Sequence, residues 1–199
     1  MSKFFLHGGD PSLHANVNNI HFWRRIAESV RKNSITVSSI GYASSFGVID
    51  SELFDKIELQ MANFVLTHLQ FLNPHKKFAV VPAPLDVNEL SVKNTDIVFI
   101  HGGDGDRLQQ ALTPIRPRFI KEISKLVCAG NSAGANIFAQ EYYSNDNQAV
   151  CDGFAILPIL TFCHYESQKW KKLNELMRSE LDSDVITLAD DEYIEYESI

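Results

Sequence analysis

What this sequence has little of narrows the possibilities first. It has no apolar stretch near the ~20 residues needed to cross a bilayer, so no membrane partner is expected. Its N-terminal apolar run, Phe4-Phe5-Leu6, stops at His7-Gly8-Gly9-Asp10 and is too short for the core of a secretory signal. Cysteine is scarce: Cys128, Cys151 and Cys163 are an odd set without metal-type spacing. A reducing cytoplasm is therefore the expected compartment. Basic blocks are missing and the net charge is -7, which argues against nucleic acid as a partner. Part of the acidity sits in the tail, at Asp182, Asp184, Asp190, Asp191, Glu192, Glu195 and Glu197, as on a solvated face. No internal repeat, low-complexity tract or interdomain linker is visible.

What is there suits one domain spanning residues 1–199, with 45% hydrophobic residues to fill a sizeable core. Short apolar runs at Lys3–Leu6, Ile35–Ile40, Lys77–Val81, Asp96–Ile100 and Leu126–Ala129 read as buried strands. Between them lie helical patterns. Asn18 or Asn19 is the expected cap of one, and a long amphipathic helix is expected over Asp50–Leu72, with Phe54, Ile57, Met61, Phe64 and Val65 inward. Arg107–Leu112 and Phe119–Ser124 read as further helical segments, and Ala135–Glu141 has a helical composition. Phe154–Leu157 reads as a strand ended by Pro158. A helix is expected from Gln168 to about Glu180, followed by strands at Val185–Leu188 and Tyr193–Tyr196. Strands alternating with helices predict an α/β fold: a mostly parallel sheet with helices on both faces. Ligands of such sheets gather beyond the carboxyl ends of the strands.

Two glycine-rich turns would lie there. Gly130-Asn131-Ser132-Ala133-Gly134 follows an apolar strand and has the form of a nucleophile elbow. A tight turn of this kind pushes the serine hydroxyl out of the sheet, and the amide after it can donate to a developing oxyanion. The same pentapeptide also suits a plain strand-to-helix turn with a serine cap. The second turn is His101-Gly102-Gly103-Asp104-Gly105-Asp106. It could supply an oxyanion amide or cradle a phosphate. It lacks the Lys-Ser/Thr of a P-loop and the spacing of a dinucleotide fingerprint, which argues against nucleotide.

A serine nucleophile needs a base, and the base needs an orienting acid. Of the seven histidines, His21 and His68 fall in amphipathic helices, and His14 and His75 in polar loops. His7 and His101 end strands beside glycines, where they could line a cleft. His164, between the Pro158 break and a helix, leads as base, with His101 close behind. The acid stays open among Asp146, Asp152, Asp190 and Asp191, all of which follow the serine.

Three separated segments share an order with one known family. They are His101–Leu108, Gly130–Asn136, and Asp152–Pro158 followed by His164. The first is similar to a loop commonly written Gly-Gly-Gly-Asn-Thr-Phe-x-Leu. The second matches Gly-x-Ser-Ala-Gly-Ala-Asn in full. The third is similar to a strand opening with Asp and a small residue and closing in Pro, with histidine six positions on. Together they resemble the serine peptidases that include dipeptidase E and cyanophycinase. That resemblance covers roughly Asp96–Leu188, about half the chain.

The resemblance implies a flavodoxin-like fold related to class I glutamine amidotransferases, with Ser132 as nucleophile and His164 as general base. Gly103 and Ala133 would donate the oxyanion amides, with Gly102 and Asp191 in second rank. For the acid it favours Asp190, which follows a late strand, with adjacent Asp191 leaving the register open by one. Asp146 is the rival, through Ser144-Asn145-Asp146. The implied substrate is a short peptide, with an N-terminal acidic residue suggested by dipeptidase E, and the relatives make a homodimer reasonable. No metal or organic cofactor is required. Departures from the family loop at His101, Asp104, Gly105 and Asp106 bear on oxyanion geometry and substrate choice. Amidotransferases carry cysteine at the elbow, and Cys128 sits four positions too early. A non-peptide esterase or amidase, or a catalytically silent binding module on the same fold, are the alternatives.

Overall fold

Apolar runs four or five residues long recur through this chain, and in the computed structural model they become the inner strands of a sheet buried on both faces. The structure describes residues 2–12, 16–166, 168–181 and 185–197. His14, Asp182 and Asp184 lie outside the described residues. The chain opens with β1 (Lys3–His7), α1 (Val17–Glu28), β2 (Ser34–Ile40), the one-turn α2 (Tyr42–Ser45), α3 (Ser51–Leu72) and β3 (Lys77–Pro82). It continues with β4 (Ile97–Ile100), α4 (Gly105–Leu112), α5 (Arg116–Ile123), β5 (Val127–Asn131) and the one-turn α6 (Ala133–Asn136). Then follow β6 (Ala139–Ser144), β7 (Ala149–Asp152), β8 (Leu157–Cys163), α7 (Lys171–Glu180), β9 (Val185–Leu188) and β10 (Tyr193–Glu197).

Six strands form the main sheet in the order β10-β1-β5-β4-β2-β3. All its neighbours are parallel except β10, which closes one edge antiparallel to β1. Alternate residues of each inner strand feed opposite cores. Phe5, Ile97, Phe99, Val127 and Ala129 pack with Trp23 of α1 and Val65 of α3. Phe4, Leu6, Val98, Ile100 and Cys128 pack with Leu108 of α4, Phe119 of α5 and Phe138. Burial of both faces is what continuous apolar strands require. Register then does the positioning: Leu6 and Ile100 both pair with Gly130, so β1, β4 and β5 end side by side.

Four expectations are corrected. The cap of α1 is Asn16, whose side chain accepts from the Asn18 amide; Asn19 is buried and bonded elsewhere. The inward stripe of α3 is Phe54, Glu58, Ala62, Val65 and Leu69, leaving Ile57, Met61 and Phe64 half-buried. After Ser132 the helix lasts one turn, and Ala139–Ser144 is a strand. It enters a second sheet, ordered β7-β6-β8-β9, that packs on the same side as α4 and α5. Finally, Phe154–Leu157 does not end a strand at Pro158; the strand begins at Leu157 and runs through the proline. The pairing of β6 with β8 shifts register there, between Ala139/Leu157 and Glu141/Leu160, and a residue without an N–H is tolerated at such an irregularity.

Candidate active site

At the end of β5 the backbone of Ser132 takes φ 51° and ψ -119°, a conformation that side-chain-bearing residues seldom adopt. Backbone contacts hold it there. The Ser132 amide donates to the His7 carbonyl at 2.9 Å, and its carbonyl accepts from the amides of Ala135 and Asn136, each at 2.9 Å. The turn also needs close approach of neighbouring strands. A Cβ placed on Gly134 would lie 2.0 Å from the carbonyl oxygen of Ile100 in β4. Ala133 opens α6, so its amide is one of those a helix leaves without an intrahelical acceptor.

The Ser132 hydroxyl meets an imidazole. Ser132 Oγ lies 2.7 Å from His164 Nε2, and His164 Nδ1 lies 2.5 Å from Asp190 Oδ1. With the Nδ1 proton donated to the carboxylate, Nε2 presents its lone pair to the serine O–H. His164 follows β8 at φ 57°. It is fixed by its amide on the Gly8 carbonyl at 3.1 Å and its carbonyl on Asn174 Nδ2 at 2.8 Å. Asp190 sits between β9 and β10, against the turn after β1. A Cβ on Gly9 would come within 2.7 Å of the Asp190 Cα. The Gly8 amide donates to the Glu192 carbonyl at 2.9 Å, locking that loop to the same turn. The neighbouring Asp191 points away, its carboxylate accepting from Asn16 Nδ2.

The turn after β4 faces the serine from the other side. Gly103 takes φ 137°. Gly102 lies so near the elbow that an added Cβ would be 3.0 Å from that of Ser132. Asn131, beside the serine in sequence, ties two turns together. Its Oδ1 accepts from the Gly102 amide at 3.1 Å, and its Nδ2 donates to the Gly9 carbonyl at 3.0 Å. Behind Gly103 stands α2, whose Ala43 carbonyl accepts from the Asp104 amide at 3.1 Å. That helix is in turn held by Glu58, which is fully buried. Its carboxyl accepts from Ser45 Oγ at 2.5 Å and from the Gly41 amide at 3.1 Å, and burial raises its pKa. Gly102, Gly103, Asn131, Ser132 and His164 edge an open cleft of about 410 Å³ that also exposes Asp10, Tyr142, Asp146 and Trp170.

The sequence profile of peptidase family S51 matches residues 12–198 of this chain. The chain belongs to peptidase family S51. It is accordingly a serine peptidase of the dipeptidase E family. No curated protein matches it. Among solved structures it is similar to a candidate peptidase E protein from Listeria monocytogenes EGD-e, at 16% identity, with all of both chains covered and a TM-score of 0.65. It is also similar to a peptidase from an acI-B1 actinobacterium, at 18% identity, over 98% of this chain and 83% of that one, with a TM-score of 0.62. These two likenesses speak for the flavodoxin-like α/β fold alone.

The other described histidines of this S51 peptidase sit apart from the serine. His101 is buried, its Nε2 2.8 Å from Ser39 Oγ, and desolvation pulls its pKa down to about 3. His7 is buried too, with Nε2 2.9 Å from Asn19 Oδ1 and Nδ1 accepting from the Gly9 amide at 3.2 Å. Neither side chain lines the cleft, contrary to the expectation from their glycine neighbours. His68 packs on Trp23, and His21 and His75 are exposed. Asp146 lines the cleft without bonding His164 among the described residues, and Asp152 ends β7 at the surface. No three His, Cys, Asp or Glu side chains converge as a metal site among the described residues. No described helix is long and apolar enough to cross a membrane.

Sequence reasoning passed over Asn131, Asn174, Glu58 and the Gly8-Gly9 turn. Only the last carried a signal, as a Gly-Gly pair ending a strand. The asparagines bind backbone atoms remote in sequence, and a glutamate in an amphipathic helix reads as solvent-facing.

Proposed function

We propose that this S51 peptidase hydrolyses short peptides through Ser132, His164 and Asp190, with residues 1–199 working as one catalytic unit. What supports the reading is the unbroken run of hydrogen bonds from Ser132 Oγ through the imidazole to Asp190, opening on the cleft. Ser132 Oγ attacks the scissile carbonyl carbon while its proton passes to His164 Nε2. Asp190 accepts the Nδ1 proton in a hydrogen bond, holding the ring and stabilising the imidazolium without taking the proton. The tetrahedral oxyanion lies against the amides of Gly103 and Ala133. As the C–N bond breaks, His164 returns the proton to the departing amine, leaving an acyl-serine. Water, deprotonated by the same nitrogen, then releases the acid and restores Ser132. A positioned base and the oxyanion donors would each lower the barrier by roughly 3 to 5 kcal/mol.

The expected cellular setting is reducing, in keeping with three free thiols of which Cys128 and Cys163 are buried. The homodimer suggested by the resemblance belongs to the same reading, and sedimentation would test it. The experiment for the chemistry is direct. A serine-reactive aryl phosphonate should label Ser132 in the folded protein, labelling should require His164, and unblocked short peptides should be cleaved. Absence of both labelling and cleavage would end the proposal.

A further inference from the structure

The Ser132 cleft also carries information about substrate charge. Two carboxylates, Asp10 and Asp146, line it together with Ser132 and His164, while its described lining contains no lysine or arginine. Asp10 is engaged by neutral donors, the Ser12 amide at 3.0 Å and Ser12 Oγ at 3.1 Å, so its charge is not cancelled. Asp146 has no hydrogen bond or ion pair among the described residues, and it is exposed at the rim.

The two nearby arginines are occupied elsewhere. Arg107 stands 3.5 Å from Asp104 and does not line the cleft. Arg116 donates to the Phe154 carbonyl at 2.9 Å and lies over the Phe154 ring. Lys169 touches one lining residue, its Nζ 4.2 Å from the centroid of the Trp170 ring, and is itself exposed. The cleft wall is otherwise aromatic and neutral, with Tyr142, Tyr143 and Trp170.

We infer that this cleft selects peptides whose N-terminal residue is neutral or cationic and rejects an N-terminal aspartate or glutamate. The inference rests on the proposed Ser132 chemistry and opposes the acidic preference that the dipeptidase E resemblance suggests. A free peptide ammonium, and a lysine or arginine side chain beside it, would find Asp10 and Asp146 as counter-charges. An acidic side chain would meet two like charges while giving up water, with no lysine or arginine in the described lining to receive it. Specificity would thus come as much from exclusion as from attraction.

The p-nitroanilides of lysine, alanine and aspartate, each with a free amine, provide the test. The lysine and alanine substrates should exceed the aspartate one by about tenfold or more in kcat/KM. The Asp10→Asn/Asp146→Asn double variant should shrink the lysine-to-aspartate ratio, and added salt should shrink it in the unmodified protein. An aspartate substrate turned over fastest would overturn the inference and leave the serine chemistry standing. Should none be cleaved, titration of Lys-Ala and Asp-Ala dipeptides into the folded Ser132→Ala variant decides. Tighter binding of Lys-Ala supports the inference; equal, reversed or undetectable binding overturns it. Phosphonate labelling of Ser132 reports separately on the chemistry itself.

Discussion

The two sides of the cleft are built by different means. Ser132 and the Gly102-Gly103 turn stand on the main sheet, where β1, β4 and β5 end together, and backbone contacts with neighbouring strands fix them. His164 and Asp190 follow β8 and β9 of the second sheet, which meets the first side at the Gly8-Gly9 turn and through Thr161 and Cys163, whose side chains bond Asn136 and the Ser132 carbonyl. The side chains of His164 and Asp190 are 36% and 54% exposed. Both sides have packed backbones, but the Ser132 turn is enclosed by neighbouring strands, whereas the His164 and Asp190 side chains join each other within reach of water. Geometry fixed by packing resists small changes and fails abruptly. Geometry fixed by exposed polar contacts loses function by degrees.

Substitutions should expose this contrast. The largest effect is expected at the packed side: Ser132→Ala should lower kcat by about 10⁴-fold or more, because no other hydroxyl can take the place of the serine. On the exposed side, Asp190→Asn should cost less, about 10³-fold in kcat with KM little changed, since water can partly stand in for a half-exposed carboxylate. If Asp190→Asn equalled Ser132→Ala, the two sides would be equally dependent on single groups and the contrast would fail. Stability should rank the other way. Gly134→Ala, whose Cβ would meet the Ile100 carbonyl at 2.0 Å, should cost about 3 kcal/mol or more in denaturant unfolding. Asp190→Asn should be nearly silent there, as exposed ion pairs contribute little.

A buried imidazole sharpens the contrast through pH. Burial pulls His101 down to about 3 from the ordinary 6.5, so the folded protein keeps it neutral in a range where the unfolded chain takes up a proton. Stability should therefore fall as pH drops below about 6.5, continuing toward about 3, and His7, also lowered by burial, adds in the same direction. His101→Gln retains a side-chain amide for Ser39 and removes that titration. Between pH 6.5 and pH 5 its stability should change by about 1–2 kcal/mol less than that of the unmodified protein, read from urea midpoints. An unchanged slope would mean that the buried histidine side does not govern the acid response.

The same division separates what is legible in the sequence from what is not. β1, β4 and β5 are legible because each is an apolar run ended by glycine or a small-residue turn, a pattern set by local composition. Ser132 and His164 stand out by type and order, whereas Asp190 is favoured only through the family resemblance, with Asp191 and Asp146 open beside it. The second sheet does not stand out. Ala139–Ser144 itself opens with the good helix formers Ala139, Gln140 and Glu141, and its strand state is imposed by pairing with β7 and β8, a tertiary effect that outweighs propensity. The polar clamps were hidden for a related reason. Asn131 reaches Gly9, 122 residues away in sequence, and Glu58 reaches Ser45 and Gly41 across a helix junction, so no spacing rule applies to them.

The smallest expected effect is also the one that fixes the register of the acid. Asp190 and Asp191 are adjacent and both exposed loop carboxylates by composition, so sequence cannot choose between them. Their partners differ: Asp190 faces His164 Nδ1 at 2.5 Å, whereas Asp191 receives Asn16 Nδ2 ahead of α1. Removing the charge at 191 should therefore leave the imidazole oriented and act only through a distant carboxylate in water, an interaction of well under about 1 kcal/mol. Asp191→Asn should change kcat/KM by less than about threefold and leave its pH profile in place, against the about 10³-fold loss for Asp190→Asn. Near-equal losses from the two variants would mean that the β9–β10 loop shifts in solution and shares the role between them. The exposed side would then be softer still than its hydrogen bonds suggest.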